Sequence, residues 1–324
     1  MLPLGVRERY KRCEAGNEGA AVRETESTIR VDGRGVKITR PEKVLFPDDG
    51  IAKQDLVDYY RRIARWILPQ LRERPLTLER FPDGIRGARI IQKSAASYFP
   101  RWIKTVSVSK AGGSVRHVVC DDEATLVYLA NLACITPHIW LSRIDKRDYP
   151  DQMVFDLDPS GENFALVVET AQAARDLLDQ LGLRVYVKTT GSRGLHVVVP
   201  LKRQEDFDAV RGFARQVAEL LVKHSPSERT LEQRKEKRGE RVFLDINRNA
   251  YAQTIAPAYA VRPRPGAPVS TPIEWRELDD KTLRPDGVTI RNIFERLENR
   301  KDPWKDFRAR AAGLKTAAQK LRRL

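Results

Sequence analysis

The segment Met153-Val-Phe-Asp-Leu-Asp-Pro-Ser160 ends an apolar run with two carboxylates one residue apart. Successive side chains of a β-strand alternate between its two faces, so we expect Asp156 and Asp158 on one face and Phe155 and Leu157 on the other. Neighbouring carboxylates repel each other, and a hard divalent cation with oxygen ligands removes that repulsion. The motif therefore predicts part of a metal site. An isolated Asp-x-Asp is also typical of a strand end that dips into solvent.

The elements around this strand follow the order β-α-β-β-α-β, the split βαβ unit of ferredoxin-like folds. Right-handed crossovers place the first strand beside the third and the fourth, antiparallel to both. The pattern predicts strands at 152–157, 184–189, 195–199 and 241–246 and helices at 164–181 and 206–223.

A third carboxylate, Asp245, lies inside the apolar segment Arg241-Val-Phe-Leu-Asp-Ile-Asn247. The predicted strand order places it next to Asp156 and Asp158. Three carboxylates on neighbouring strands can hold two divalent ions about 3.5–4 Å apart, which orients an in-line attack on phosphorus. The alternative for Asp245 is a hydrogen-bonded structural role.

The turn Thr189-Thr-Gly-Ser-Arg-Gly-Leu-His196 should lie near the carboxylate end of the first strand, because antiparallel neighbours run end to start. Its two glycines can turn backbone N–H groups toward an anion, and Arg193 adds charge. His196 points away from the apolar face formed by Leu195 and Val197. A structural histidine is the alternative there.

The chain of 324 residues carries 59 Lys and Arg against 44 acidic residues, a net charge of +15. This balance favours a polyanionic partner, although a merely basic surface also fits. The charged loop Arg229–Arg241 precedes the strand of Asp245, which makes Arg238 a candidate triphosphate ligand. Arg262 and Arg264 flank prolines in a rigid segment that can project cations.

The remaining chain predicts a loosely ordered tail at 1–30, a catalytic domain at 31–302 with its metal-bearing unit at about 151–262, and a basic C-terminal helix at 303–324. We expect a hairpin from Thr28 and an amphipathic helix at 53–68 whose end is bounded by Pro69 and Pro75. Short strands and a helix at 122–133 should complete an N-terminal mixed α/β subdomain. Apolar surroundings predict buried thiols for Cys120 and Cys134.

No apolar run reaches the roughly 20 residues of a membrane span, and the first residues lack the apolar core of a secretion signal. These features predict a cytoplasmic protein without a membrane partner.

From about Val36 to Trp304 the sequence resembles the polymerase domain of bacterial ATP-dependent DNA ligase D, a member of the archaeo-eukaryotic primase superfamily. Several motifs in one order are more specific than any one alone. The resemblance lies in Lys43-Val-Leu-Phe-Pro, Arg74-Pro-Leu-Thr-Leu-Glu-Arg, Val154-Phe-Asp-Leu-Asp-Pro, Lys188-Thr-Thr-Gly-Ser-Arg-Gly-Leu-His-Val, Lys237-Arg-Gly-Glu-Arg-Val-Phe-Leu-Asp and Arg264-Pro-Gly-Ala-Pro-Val-Ser-Thr-Pro272.

The resemblance implies an α/β (α+β) primase-polymerase fold, with the split βαβ catalytic sheet packed on the N-terminal subdomain. It implies template-directed nucleotide addition at gaps and broken ends during non-homologous end joining, with two Mn²⁺ or Mg²⁺ ions and a preference for NTP over dNTP. The implied partners are DNA bearing a 5′-phosphate, Ku and a DNA ligase. The implied location is the nucleoid.

By motif, Asp156, Asp158 and Asp245 would be the catalytic metal ligands. Lys43 and Lys53 would bind the 5′-phosphate across a gap. Nucleotide-binding roles would fall to Thr190, Arg193, His196, Arg238 and Arg262, with His138 near the ribose, and template contacts to Arg80, Ile90 and Ile91.

The sequence departs from this family at five positions. Ile90-Ile91 stands where relatives commonly have an aromatic pair, so stacking on a base should be weaker there. Thr190 and Arg193 replace the usual Ser and Lys, and Arg40 stands where an Asn is frequent.

Three other functions fit parts of the pattern. A primase that starts chains without a primer shares the same motifs. A non-catalytic module that holds DNA ends needs only the basic surface, and a metal-dependent nuclease needs the carboxylates but no nucleotides. Intact acidic positions disfavour the binding module.

Overall fold

The structure is a computed structural model that describes residues 26–324, a mixed α/β protein with several sheets. The described strands are β1 (Glu26–Val31), β2 (Arg34–Thr39), β3 (Val44–Phe46), β4 (Ile51–Ala52), β5 (Leu76–Arg80), β6 (Ile90–Gln92), β7 (Thr105–Lys110), β8 (Gly113–Val118), β9 (Cys134–Trp140), β10 (Gln152–Pro159), β11 (Tyr186–Thr189), β12 (Leu195–Pro200), β13 (Arg229–Thr230), β14 (Val242–Asp245), β15 (Thr254–Ile255) and β16 (Pro272–Ile273). The helices are α1 (Lys53–Leu71), α2 (Glu123–Asn131), α3 (Phe164–Gln180), α4 (Phe207–His224), α5 (Ile293–Asn299) and α6 (Lys315–Leu321).

The larger sheet has six strands in the order β13-β14-β10-β12-β11-β16. Strand β10 lies between β12 and β14 and is antiparallel to both, which confirms the predicted split βαβ arrangement. The edge strands β13 and β16 were not predicted, because two residues are too short to show an alternating pattern.

The two faces of this sheet differ in chemistry. Phe155, Leu157 and Val197 face the core formed with α3 and α4. Val154 and Val198, one position along each strand, belong to a second core shared with the N-terminal subdomain. Strand alternation therefore turns the polar side chains of β10, β12 and β14 toward that subdomain.

The N-terminal subdomain contains the sheet β15-β9-β5-β6, with α1 packed against α2. Helix α1 buries one apolar face, including Leu56 and Ile63. Helix α1 runs three residues beyond the predicted 53–68, and its end at Leu71 lies between Pro69 and Pro75, as predicted. Proline removes one backbone hydrogen bond, but burial of Leu68 and Leu71 keeps the last turn helical.

Strand β9 was missed because Pro137 lies within it. A proline cannot donate a ladder hydrogen bond, but within residues 26–324 β15 pairs with Ile139 and Trp140 and does not reach Pro137. Asp122 caps α2 by accepting a hydrogen bond from the Thr125 N–H, at the predicted start of that helix.

The predicted ends of the chain need correction. Strand β1 already begins at Glu26, inside the segment assigned to the tail, and residues 1–25 lie outside the described part. The C-terminal helix predicted over 303–324 is reduced to α6 and a short 3₁₀ turn at Arg308–Arg310. Pro303 and Gly313 interrupt a continuous helix there.

Cys120 and Cys134 are buried free thiols, as predicted. No helix within residues 26–324 combines the length and the apolarity that crossing a bilayer requires.

Candidate active site

Two carboxylates face each other across adjacent strands. Asp156 of β10 and Asp245 of β14 are register partners, and Asp158 lies two residues further along β10 on the same face. This register confirms the predicted adjacency of the three aspartates. Asp156 and Asp245 are each 9% exposed, so their negative charges lie in a poorly solvated environment.

The Arg248 guanidinium bridges these strands. Its Nε atom lies 3.1 Å from Asp245 Oδ2 and 3.6 Å from Asp156 Oδ2. Burial raises the pKa of Asp245, and Arg248 opposes that rise. Burial, followed by the charge of Asp156, raises the pKa of Asp158 to about 6.

This donor set fits hard divalent cations, because oxygen ligands and crowded carboxylates are what such ions prefer. Within residues 26–324, no group of three His, Cys, Asp or Glu side chains is already arranged to bind one metal ion. Arg248 instead provides the cationic partner of Asp156 and Asp245. A metal ion bound by the three aspartates would take over that role.

His196 and Lys188 lie on the same face of the sheet. His196 Nε2 is 3.2 Å from Asp156 Oδ1, and its buried Nδ1 has no hydrogen-bond partner among the described residues. Burial and the nearby Lys188 lower the pKa of His196 to about 4. For Asp156, burial favours the neutral acid, but His196 and Arg248 outweigh it and bring the pKa to about 2.

The turn between β11 and β12 packs tightly on β10. A Cβ atom on Gly194 would lie 2.0 Å from the Leu157 carbonyl oxygen, so only glycine permits this approach. The Thr190 hydroxyl accepts hydrogen bonds from the Ser192 and Gly194 N–H groups at 3.2 Å. The turn is thus held beside the carboxylates, as predicted, while Arg193 is exposed.

A cleft of about 350 Å³ lies over this face. His138 projects into it from β9, and its Nε2 lies 2.8 Å from Glu79 Oε2. Arg89 Nε binds the other oxygen of Glu79 at 2.7 Å. Residues predicted to bind metal, nucleotide and template therefore line one cavity, namely Ile91, His138, Asp156, His196 and Arg262. Arg248, which was not predicted, lines it as well.

Two arginines predicted as triphosphate ligands have different surroundings. Arg262 is partly buried beside the turn, where its Nη1 donates to the Thr190 carbonyl at 3.4 Å, and its Nε has no partner among the described residues. Arg238 donates to the carbonyl oxygens of Glu232 and Gln233 at 2.8 and 2.7 Å. Its guanidinium also lies 3.7 Å from the ring centroid of Phe243, so it stabilises its own loop beside β14.

A second cluster of positive charge forms at the N-terminal subdomain. Lys53 donates its Nζ hydrogen bond to the Thr39 carbonyl, and the Lys53 N–H binds the Lys43 carbonyl at 2.8 Å. Burial, followed by the charges of Arg40 and Lys43, lowers the pKa of Lys53 to about 8. The Lys43 side chain reaches the exposed Asp83 at 2.6 Å.

The predicted template contacts Arg80, Ile90 and Ile91 lie on β5 and β6. Arg80 and Ile90 are register partners, and Ile90 and Ile91 are exposed. Arg80 Nη1 donates to Gln92 Oε1 at 2.6 Å, which holds its side chain along the strand edge.

Sequence reasoning missed three residues of this site: Glu79, Lys188 and Arg248. The alternating pattern could have indicated Lys188, since it is the register partner of His196 and lies on the same face. Its Nζ donates to Ser270 Oγ at 2.6 Å, and burial lowers its pKa to about 7. No local pattern indicates Glu79, because its partners come from other elements, and Arg248 reaches Asp245 through a 3₁₀ turn that the sequence pattern did not predict.

Carboxylates on adjacent strands of a split βαβ sheet, under a cleft lined by histidine and arginine, define the site of a primase-polymerase type of nucleotidyltransferase. The model of the LigD primase-polymerase domain matches residues 52–304. The chain therefore belongs to the LigD primase-polymerase domain family.

Relatives in several bacteria support this placement. The multifunctional non-homologous end joining protein LigD of Pseudomonas aeruginosa is 32% identical over 276 residues, 84% of this chain and 33% of that protein. The bifunctional LigD of Bacillus subtilis is 29% identical over 84% of this chain and 44% of that protein. The chain thus spans about a third to under a half of the curated relatives it matches.

A solved structure covers almost the same unit. The polymerase domain of Mycobacterium tuberculosis ligase D in complex with DNA superposes with a TM-score of 0.80 at 30% identity. The match covers 86% of this chain and 99% of that one.

Proposed function

We propose that this protein is a template-directed polymerase that fills gaps and extends DNA ends during non-homologous end joining, with a preference for ribonucleoside triphosphates. The observation that carries the proposal is the register pairing of Asp156 with Asp245, with Asp158 on the same face. The catalytic domain would comprise residues 31–302, with its metal-bearing unit at about 151–262.

The three aspartates would hold two divalent ions, Mn²⁺ or Mg²⁺. Such ions activate the attacking hydroxyl and stabilise the charge that develops on the phosphates. Asp156 is suited to this role because its pKa of about 2 keeps it ionised at neutral pH. Arg248 would turn from the carboxylates toward the phosphates once the ions are present.

The residues around the cleft would bind the incoming nucleotide. Arg262 and Arg193 would contact the triphosphate, and Thr190 would shape the turn whose N–H groups face it. Arg238 is supported in a positioning role, since its donors already bind carbonyl groups of its own loop. His196 would hold Asp156 in place through Nε2, and protonation of Nδ1 would let it donate a hydrogen bond to a phosphate oxygen.

His138 would select the ribose. Burial lowers the pKa of His138, so it is neutral at pH 7, and the 2.8 Å contact with Glu79 fixes the orientation of its ring. A fixed neutral imidazole can hydrogen-bond a 2′-hydroxyl, which supports the preference for NTP over dNTP.

The cluster Arg40, Lys43 and Lys53 would bind the 5′-phosphate on the far side of a gap. Lys43 pairs with an exposed carboxylate that a phosphate can displace. Arg80, Ile90 and Ile91 would contact the template between this cluster and the cleft. Ku and a DNA ligase would be the protein partners, in the nucleoid of the cytoplasm, because the full-length relatives are named end-joining proteins.

The test uses a gapped duplex with a downstream 5′-phosphate, single NTP or dNTP, and Mn²⁺ or Mg²⁺. Wild type is compared with Asp156→Asn/Asp158→Asn, which keeps side-chain size but removes charge, and with Asp208→Asn, an exposed control. We expect templated extension by wild type and the control, faster with NTP and weaker without the 5′-phosphate.

The other functions predict different products. Equal DNA binding by all proteins without extension by any would leave an end-binding module. Primer shortening that needs no nucleotide would indicate a nuclease. Synthesis on a single strand without primer would indicate a primase.

A further inference from the structure

An exposed apolar patch lies on one face at the edge of the four-stranded sheet, formed by Ile90 of β6, which is 41% exposed, and Tyr98, which is 62% exposed. Ile91, 44% exposed, points to the opposite face of the same strand. Arg80 links Ile90 and Tyr98, because it is the register partner of Ile90 and its Nη1 atom lies 3.5 Å from the Tyr98 hydroxyl. Large apolar side chains grouped at a surface indicate a contact site rather than a scattered exposure.

Tyr98 is displayed by a loop that is itself anchored. Its ring centroid lies 5.3 Å from that of the buried Phe99, which in turn lies 5.4 Å from Tyr128. The Ala95 N–H binds the Arg116 carbonyl at 2.6 Å, which ties the loop to β8. The loop therefore already holds the tyrosine ring outward, so binding a ligand there would cost little further conformational entropy.

The patch lies between two sites that suit phosphates. On one side, Ile91 and Lys93 line the cleft above the carboxylates. On the other side, Arg80 lies close enough to Lys53 to contribute to its lowered pKa. A template segment that runs from the cleft to the cluster around Lys53 would pass around the β6 edge, where Ile90 and Tyr98 are exposed.

We propose that Tyr98 stacks on an unpaired template base, so that it supplies an aromatic face beside Ile90. The inference rests on the proposed gap-filling function and names a residue that determines how unpaired template is held. Aromatic rings beside basic groups bind single strands by stacking, with little preference for sequence. An aliphatic side chain offers no such ring face, which leaves Tyr98 as the exposed ring of the patch.

The experiment compares wild type, Tyr98→Ala and Tyr98→Phe on two DNAs that share a downstream 5′-phosphate. One has a two-nucleotide gap, and the other is a nicked duplex with no unpaired base. Binding is measured by fluorescence anisotropy, and 2-aminopurine at an unpaired template position reports stacking. Thermal unfolding of each variant verifies the fold, and extension by wild type is measured on the gapped DNA.

We expect Tyr98→Ala to weaken binding to gapped DNA about 5- to 100-fold and to reduce 2-aminopurine quenching. Tyr98→Phe keeps the ring and should bind like wild type. Neither variant should change binding to the nicked duplex.

Equal losses on both DNAs, unchanged binding by Tyr98→Ala, or a loss in Tyr98→Phe as large as in Tyr98→Ala would each overturn the inference. Failure of wild type to extend a primer would instead refute the proposed function, because the binding comparison tests Tyr98 independently.

Discussion

The Nε2 atom of His196 lies 3.2 Å from Oδ1 of Asp156, on neighbouring strands of the catalytic sheet. The pKa of the histidine is about 4 and that of the aspartate about 2, so near pH 7 a neutral imidazole donates to a carboxylate. This contact leaves the buried Nδ1 of His196 as an acceptor without a protein partner among the described residues.

We predict that His196→Ala lowers kcat for single-nucleotide addition about 10- to 100-fold, the loss typical of a hydrogen bond to a charged group. DNA affinity should stay within twofold, because the contact is made inside the cleft. Single-turnover extension and anisotropy on the same gapped DNA measure the two effects. The exposed His224→Ala is the control, and an equal effect of both substitutions would contradict the role of His196.

The ion pairs of Arg248 with Asp156 and Asp245 lead us to expect that metal binding and thermal stability are linked. Without its guanidinium, the charges of Asp156 and Asp245 are less well neutralised. Arg248→Ala should therefore have a lower Tm without metal and a larger rise in Tm on addition of Mn²⁺ than wild type.

Arg211→Ala is a matched control, since Arg211 also pairs with an aspartate three residues earlier but lies on an exposed helix face. Differential scanning fluorimetry across Mn²⁺ concentrations measures both proteins. An equal rise in Tm on addition of Mn²⁺ in wild type and Arg248→Ala would show that Arg248 does not occupy the place of a bound cation.

Lys53 predicts opposite pH effects on stability and on DNA binding. Its pKa is lowered from 10.5 to about 8, so between these values the unfolded chain binds more protons than the folded one. The contribution of Lys53 to the free energy of unfolding therefore rises as pH increases from about 8 toward 10.5. Over the same range the folded protein loses the ammonium group that a 5′-phosphate needs.

We expect the affinity gain from a 5′-phosphate to fall between pH 7 and pH 9, whereas Lys53→Arg should retain it. Phosphate is already largely dianionic there, since its second pKa is about 6. Anisotropy with 5′-phosphate and 5′-hydroxyl DNA at each pH measures the gain. A gain that is constant with pH in wild type would exclude Lys53 as a phosphate ligand.

The close packing of Gly194 against β10 leads us to expect that a larger side chain there displaces the turn beside the carboxylates. Gly194→Ala places a Cβ atom 2.0 Å from the Leu157 carbonyl oxygen, so the turn must move. We expect a loss of at least about 1–3 kcal/mol in the free energy of unfolding, together with lower activity. Gly212→Ala is the control, because its Cβ meets no atom within 4 Å and helix α4 should gain about 0.5–1 kcal/mol. Urea unfolding measures both, and equal stability of the two variants would contradict the close approach.

The catalytic sheet was predictable because its signals are local. Alternation along β10 sets the common face of Asp156 and Asp158, and the β-α-β-β-α-β order sets the neighbour that carries Asp245. Edge strands β13 and β16 were missed because two residues show no alternation, and β9 was missed because Pro137 lies within it. The roles of the individual site residues stay predictions.

The sequence by itself determined which side chains share a face of the catalytic sheet and which strands adjoin, because backbone geometry imposes both. Only the tertiary structure decided which charges meet. His138 binds Glu79 across 59 positions of the chain, and Arg248 reaches Asp156 through a 3₁₀ turn after β14. These contacts depend on how separate elements pack, and no periodicity in the sequence records that packing.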